Sequence, residues 1–210
     1  ADCLMKGEGV PVNKKEAYRY FEMACEKGST DSMFVYATYL EKEDDLASIQ
    51  KALYYYEIAA EKGEKSSMLN LGTMYWKGKG TEVNMEKAIK YFKMSADKGV
   101  SVAMNNLAVC YKNGMGVPVD SEKAFYYYKM AADHGYVESF INVGILYEKG
   151  EGVEKNLIEA VKYYQKGIEN GDTNSMVNLG SMFFNGVGVE INYENAFKFF
   201  KMAADLGDKD

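Results

Sequence analysis

Long hydrophobic runs are absent from this sequence. No apolar stretch approaches the roughly 18 residues that a membrane-spanning helix needs, and no signal-peptide pattern opens the chain. Proline is also scarce, with 2 residues in 210, which suits one compact or elongated helical unit. Because 47% of the residues are hydrophobic, the chain has ample apolar material to bury, and disorder is disfavoured.

Cysteine and histidine are few. The 3 cysteines are an odd number for a disulfide framework and none lies in a C-x-x-C pair, so reduced thiols are the simpler interpretation. The only histidine, His134, stands where other repeats of the chain have Lys62 and Lys98. This position favours a cation at a helix C-terminus over a metal ligand or a general base. We therefore expect no metal and no cofactor.

An excess of positive charge is missing as well. The formal net charge is −6 and the pI is about 5.1, so nucleic acid and anionic membranes are poor candidate partners, and a basic protein segment suits the chain better. The sequence also has no N-x-S/T glycosylation site, which favours a cytoplasmic location. Since the first residue is Ala and a leader could have been removed, a secretory or periplasmic location stays open.

What the chain does contain is a repeat. Alanine recurs with steps of 35, 36, 36, 36 and 36 residues, and glycine keeps the same steps. The two series are Ala17, Ala52, Ala88, Ala124, Ala160 and Ala196, and Gly28, Gly63, Gly99, Gly135, Gly171 and Gly207. A G-x-G pair recurs as Gly7/Gly9, Gly78/Gly80, Gly114/Gly116, Gly150/Gly152 and Gly186/Gly188, and is missing only near the EKEDD stretch at 41–45. Because a phosphate loop would not be copied five times, we interpret these glycines as connectors that supply positive φ and close backbone approach.

Each repeat resolves into two helices. Helix A is predicted at 32–42, 67–77, 103–113, 139–149 and 175–185. Helix B is predicted to begin after the capping residues Asn13, Ser48, Asn84, Asp120, Asn156 and Asn192, and to end at the repeating glycine. Small residues on helix A, such as Gly72 and Gly144, let helix B approach closely. Aromatic pairs on helix B, such as Tyr91/Phe92, are expected to pack between repeats.

One such hairpin cannot bury its own apolar face, so neighbouring hairpins must stack. The predicted fold class is all-α, a right-handed superhelical α/α solenoid of antiparallel helix pairs with a period of about 36 residues. We expect a single domain over residues 1–210. Its predicted parts are a partial unit at 1–31 and repeats at 32–66, 67–102, 103–138, 139–174 and 175–210.

The repeat resembles a known family. The pattern A-x-x-N-L-G-x-x-Y-x-x-G-x-G-V-x-x-D-x-x-K-A-x-x-Y-Y-x-K-A-A-x-x-G is similar to that of the Sel-one-like repeat (SLR) family, a relative of tetratricopeptide repeats, and residues 103–135 match it almost throughout. Repeat 32–66 departs most, having lost both connector glycines, so a reshaped loop is expected there. The resemblance implies a non-catalytic adaptor that assembles protein complexes.

A polar strip on helix A provides the candidate binding residues. Asparagine recurs every 36 residues, roughly opposite the core face, with polar or small apolar residues three and seven positions later. The predicted partner-binding residues are Asn70, Thr73, Lys77, Asn106, Asn113, Asn142, Lys149, Asn178 and Asn185. An asparagine both donates and accepts, so such a ladder suits the backbone of an extended peptide. The alternative, that asparagine bridges adjacent helices structurally, stays open.

No catalytic constellation is visible in the sequence. Cys110 near the end of helix A and His134 at the end of helix B are expected about 20 Å apart within one hairpin. We therefore expect a non-enzymatic scaffold that binds a protein or peptide on the helix-A surface, which would be concave in a solenoid. One alternative is a regulatory or spacer segment of a larger protein with neighbouring repeats or domains. Another, motivated only by relatives, is a small-amide hydrolase of the cysteine-rich type.

Overall fold

The structure is a computed structural model in which residues 1–207 are described, and these residues form 12 helices and no strand. In chain order the helices are α1 (Asp2–Lys6), α2 (Lys14–Glu26), α3 (Thr30–Leu40), α4 (Leu46–Glu61), α5 (Lys65–Lys77), α6 (Met85–Asp97), α7 (Ser101–Asn113), α8 (Ser121–Asp133), α9 (Val137–Lys149), α10 (Leu157–Glu169), α11 (Thr173–Asn185) and α12 (Tyr193–Gly207). Odd-numbered helices are helices A of the repeats, and even-numbered helices are helices B.

The helices A are confirmed, but each begins two residues earlier than predicted. In α3, α5 and α11 the cause is side-chain capping immediately after the repeating glycine, whereas α7 and α9 begin without a side-chain cap. The Ser29 hydroxyl accepts a hydrogen bond from the Ser32 N–H, and the Asp172 carboxylate accepts one from the Ser175 N–H. These side chains satisfy backbone donors that would otherwise lack partners, so the helix starts without a longer linker.

Five of the six predicted caps of helix B are confirmed, and the prediction that Ser48 is the sixth is wrong. Helix α4 begins at Leu46, and its cap is Asp45, whose carboxylate accepts from the Ser48 N–H at 2.8 Å. The aspartate three residues upstream takes the capping position, so Ser48 lies inside the first turn. The loop before it is reshaped, as expected, because α3 ends on Glu41 in a right-handed conformation instead of on a left-handed glycine.

Two compact units divide the described residues: unit 1 spans residues 1–98 and unit 2 begins at Gly99. In unit 1, α3 packs on α4 and α5 packs on α6, while in unit 2 the hairpins are α7–α8, α9–α10 and α11–α12. Successive hairpins join through α4–α5 in unit 1 and through α8–α9 and α10–α11 in unit 2. Within each unit, such stacked antiparallel pairs form the predicted α/α solenoid. The single domain and its repeat boundaries stay a prediction, and residues 208–210 of the last repeat lie outside the described residues.

The aromatic pairs of helix B pack both between repeats, as predicted, and inside their own hairpin. Between repeats, Phe21 of α2 stacks on Tyr36 of α3 with ring centroids 5.5 Å apart, and Tyr163 of α10 lies in one buried cluster with Tyr128 of α8. A Cβ placed on Gly72 would lie 2.5 Å from the Phe92 ring of the same hairpin. From α4 onward the first ring of each pair also contacts a ring of helix A in its own hairpin, as Tyr91 stacks on Tyr75 with centroids 5.8 Å apart, whereas Tyr20 of α2 is exposed. Because helix A offers a side-chain-free surface, the two helices approach closely and bury the ring, which contributes about 2–3 kcal/mol.

The G-x-G connectors behave as predicted, with φ of 68° at Gly78 and 73° at Gly80. The first glycine closes the C-terminus of helix A in a left-handed conformation. The second lies against helix B of the preceding repeat: a Cβ on Gly80 would lie 2.7 Å from the Ile49 side chain, and one on Gly152 would overlap the backbone oxygen of Ser121. The loop therefore also joins neighbouring repeats.

Candidate functional site

The predicted polar strip lies on the accessible face of the helices A. Its four recurring asparagines, at positions 70, 106, 142 and 178, are half-buried, and the residues seven positions later are exposed. In unit 2, α9 contacts α11 directly. Of the strip residues, Asn178 and Asn185 of α11 line one cavity together with Glu148 of α9.

The asparagines of the strip differ in their hydrogen bonds. Asn70 hydrogen-bonds the Tyr56 hydroxyl of the preceding helix, so here the structural alternative applies. The Asn142 amide donates to the Glu138 carbonyl of its own helix at 2.8 Å, and Asn185 does the same to Ser181 at 2.9 Å. Each of these two leaves its amide oxygen free to accept. Among the described residues, Asn106, Asn113 and Asn178 make no side-chain hydrogen bond.

A small cavity of about 70 Å³ opens along the strip in unit 2. We call it the unit 2 cavity. It is lined by Glu148, Asn178, Ser181, Met182, Asn185 and Val187. The Glu148 carboxylate accepts a hydrogen bond from the buried Tyr164 hydroxyl at 2.6 Å. Burial, followed by this hydrogen bond to an anion, raises the pKa of Tyr164, so the hydroxyl remains a donor at neutral pH.

A larger cavity of about 550 Å³ lies on the helix-A face of unit 1, and sequence analysis missed it. Val35, Thr38 and Lys42 line it. They correspond to Asn70, Thr73 and Lys77 in the next repeat. Because Val35 replaces the recurring asparagine, the polar strip was not recognised in this repeat. The step of 35 residues between the first two repeating alanines was the signal that could have found these residues. Asp2 also lines this cavity, and its hydrogen bonds from Lys6 and Tyr39 lower its pKa.

The candidate catalytic residues have environments unsuited to nucleophilic chemistry. Cys25 and Cys110 are buried, and burial raises the pKa of each thiol to about 11, so the thiol form predominates at neutral pH. All 3 cysteines are free thiols. His134 is the C-cap of α8, as its position predicted, and its Nδ1 lies 2.9 Å from the Met130 carbonyl oxygen. Within residues 1–207, no cluster of acidic, cysteine and histidine side chains suits a metal ion.

None of the described helices has the length and apolar character required to cross a bilayer.

Comparison with known proteins addresses the repeat directly. The Sel1 repeat family model matches six segments, at 1–29, 31–64, 65–100, 101–136, 141–172 and 173–208. Comparison with curated proteins gave no significant match.

Solved structures share this fold. One similar structure is c5321, a protective antigen of uropathogenic Escherichia coli displaying an SLR fold, with a TM-score of 0.90 and 28% identity over 98% of this chain. This chain spans 44% of that protein. A Sel1 repeat protein from Oxalobacter formigenes has a TM-score of 0.80 and 25% identity, covering 97% of this chain and 84% of the other. From the repeat spacing, the stacked hairpins and these matches together, the chain belongs to the Sel1 repeat family.

Proposed function

We propose that this chain is a scaffold whose helix-A face binds an extended segment of a protein partner. Sel1 repeat proteins generally mediate protein–protein interaction. Binding of an extended segment is supported by the accessible asparagine side chains on α7, α9 and α11. Some of these amides make no hydrogen bond within the described residues, and the others use only an N–H and leave the oxygen free. An extended peptide has one N–H and one C=O per residue, and such amides can satisfy both.

The charge of the chain supports a basic segment as the partner. The net charge is −6, and complementary charge steers association and disfavours partners of the same sign. The strip itself is mostly neutral, so its asparagines would hold the peptide backbone while neighbouring side chains select residues. Glu138 and Glu148 on α9 are the carboxylates placed to attract a cation in unit 2.

The proposal is tested with a triple variant in which Asn106, Asn142 and Asn178 are all replaced by alanine. The partner is first captured with the intact chain, identified and purified, and its affinity is then measured by calorimetry. We expect the variant to bind at least about tenfold more weakly, because several peptide hydrogen bonds are lost together.

A matched control removes uncharged side chains from the opposite helices. Gln50, Tyr126 and Gln165 lie on three helices B and are exposed, so their triple alanine variant leaves the net charge and the strip unchanged. Circular dichroism melting verifies that both variants fold. Equal affinity of the two variants and the unaltered protein would overturn the proposal.

A second candidate function is a regulatory or spacer segment within a longer protein. It is favoured by the finding that this chain spans 44% of the E. coli protein it resembles. The full-length sequence and deletion of this segment from it would separate the two functions: a spacer can be replaced by unrelated repeats of equal length, whereas a binding scaffold cannot. The hydrolase alternative has no support, since both buried thiols are protonated and the cysteines form no pairs.

A further inference from the structure

A lysine ammonium sits in a polar cluster on the helix-A face of unit 1. The Lys79 ammonium donates to the Glu41 carboxylate at 3.0 Å and to the Glu41 carbonyl oxygen at 2.9 Å. The other oxygen of the Glu41 carboxylate accepts from the Tyr56 hydroxyl at 3.0 Å, and Asn70 also bonds that hydroxyl. Lys79 is the middle residue of a G-x-G connector, so here a connector loop supplies the cation to the preceding repeat.

The unit 2 cavity has the same construction without the lysine. Three repeats after Tyr56, Asn70 and Lys79 come Tyr164, Asn178 and Val187. Glu148 takes the role of Glu41, because its carboxylate accepts from the Tyr164 hydroxyl at 2.6 Å. Val187 is again the middle residue of a G-x-G connector and lines the cavity. Unit 2 thus has the carboxylate and tyrosine that bind the lysine ammonium in unit 1, but Val187 stands at the position of the lysine. Its short apolar side chain leaves the cavity open.

The groups around the unit 2 cavity include several hydrogen-bond acceptors that have no donor partner. The Glu148 carboxylate has one oxygen bonded by Tyr164, and no ion pair within 4.0 Å occurs to it among the described residues. The amide N–H of Asn185 and the hydroxyl of Ser181 donate to carbonyls of their own helix, so their oxygens remain to accept. Glu148 is the only charged residue in the lining, which therefore carries one negative charge. Acceptors around one uncompensated carboxylate suit a compact cation.

We infer that the unit 2 cavity is a subsite for the ammonium group of a lysine side chain in the bound partner. This inference rests on the proposed function, because the subsite lies on the same helix-A face. The partner's lysine would occupy the place that Lys79 occupies in unit 1, with Glu148 as its counter-ion and the strip amides holding the adjacent peptide backbone. Recognition of a primary ammonium distinguishes this subsite from a generally acidic surface.

The probe is a blocked pentapeptide with a central lysine flanked by serine and glycine, titrated into the full chain and followed by NMR of the side-chain amides of Asn178 and Asn185. Comparison peptides carry norleucine, acetyl-lysine or arginine at the centre. We expect saturable shifts of both amides with the lysine peptide, and binding at least about tenfold weaker with each comparison peptide. Norleucine or acetyl-lysine binding as well as lysine would overturn the subsite. Equal arginine binding would overturn its selectivity for ammonium.

Two variants test the role of Glu148 and the relation to unit 1. Glu148→Gln keeps the shape and the tyrosine hydrogen bond but removes the charge, and is expected to weaken lysine-peptide binding at least about tenfold. Val187→Lys supplies the ammonium within the chain, as Lys79 does in unit 1, and is expected to abolish the shifts at Asn178. Val187→Met, of similar length without charge, is the matched control and should retain binding. Equal behaviour of the lysine and methionine variants would contradict the inference.

Exchanging the two connector residues is expected to move the lysine subsite from unit 2 to unit 1. In the double variant Lys79→Val with Val187→Lys, peptide-induced shifts are expected to disappear from Asn178 and to arise at Asn70 in unit 1. If no variant and no peptide perturbs these amides, the lysine subsite is wrong. Partner binding by the helix-A face is tested separately, by the affinity of the purified partner for the triple asparagine variant. The two proposals can therefore fail independently.

Discussion

At the residue scale, two features characterise the core: small residues that face aromatic rings, and buried thiols. Gly72 faces Phe92 and Gly144 faces Tyr164, each so closely that a methyl group would collide with the ring. Cys110 has no exposed surface. Burial disfavours a charged thiolate there, so the cysteines act as small apolar core residues.

This environment predicts loss of stability at alkaline pH. Burial raises the pKa of Cys25 and Cys110 from an ordinary value of 9.0 to about 11, and that of Tyr128 from 10.0 to about 12. The neutral form is favoured in the folded state, so this stabilisation is complete below pH 9 and is lost as pH rises from about 9 through 11 for the thiols. The measurement is urea unfolding under reducing conditions at several pH values, with Cys110→Ala expected to flatten the decline. An unfolding free energy that stays constant from pH 8 to pH 11 would contradict this assignment.

At the element scale, the connectors fix how one repeat meets the next. The first glycine of each G-x-G pair ends helix A, and the second glycine at Gly80, Gly152 and Gly188 brings the loop against helix B of the preceding repeat in the same unit. Where both glycines are absent, after α3, the Glu43 carboxylate of the loop accepts hydrogen bonds from Lys14 at 3.2 Å and from Tyr18 at 2.6 Å, both on the preceding helix α2. An ion pair and a tyrosine hydrogen bond are therefore present where the other connectors have a glycine.

The close approach at Gly152 predicts a large effect of one methyl group. In Gly152→Ala, the new Cβ would overlap the Ser121 backbone oxygen in addition to requiring a positive φ. The matched control is Gly171→Ala, which has a similar φ of 81° but open space around the new methyl group. We expect the control to lose about 1–2 kcal/mol from backbone strain and Gly152→Ala to lose roughly 1–3 kcal/mol more from overlap. Chemical unfolding of both variants provides the comparison, and equal losses would show that the connector does not hold the repeats together.

At the scale of the whole molecule, periodicity made the fold predictable and left the details of contact unspecified. The repeating alanines and glycines gave the helix pairs and their connectors, because capping and positive φ depend on residues close in sequence. The packing of the aromatic rings between repeats was predicted, but their contacts inside the hairpin were not, since sequence spacing gives the face of a ring but not which neighbouring helices it contacts. Ser48 failed as a cap because Asp45 competes for the same helix start. The strip residues were predicted from their spacing, whereas the hydrogen bonds of Asn70 and the cavity beside Glu148 depend on three-dimensional packing.

Recognition of the partner by the helices A is the central proposal, and hydrogen exchange of the partner complex tests it most directly. Backbone exchange is compared between the free chain and its complex with the purified partner. We expect slower exchange in α7, α9 and α11, greatest around Asn142 and Asn178, with little change in α8, α10 and α12. Protection confined to the helices B, with α9 and α11 unchanged, would contradict it.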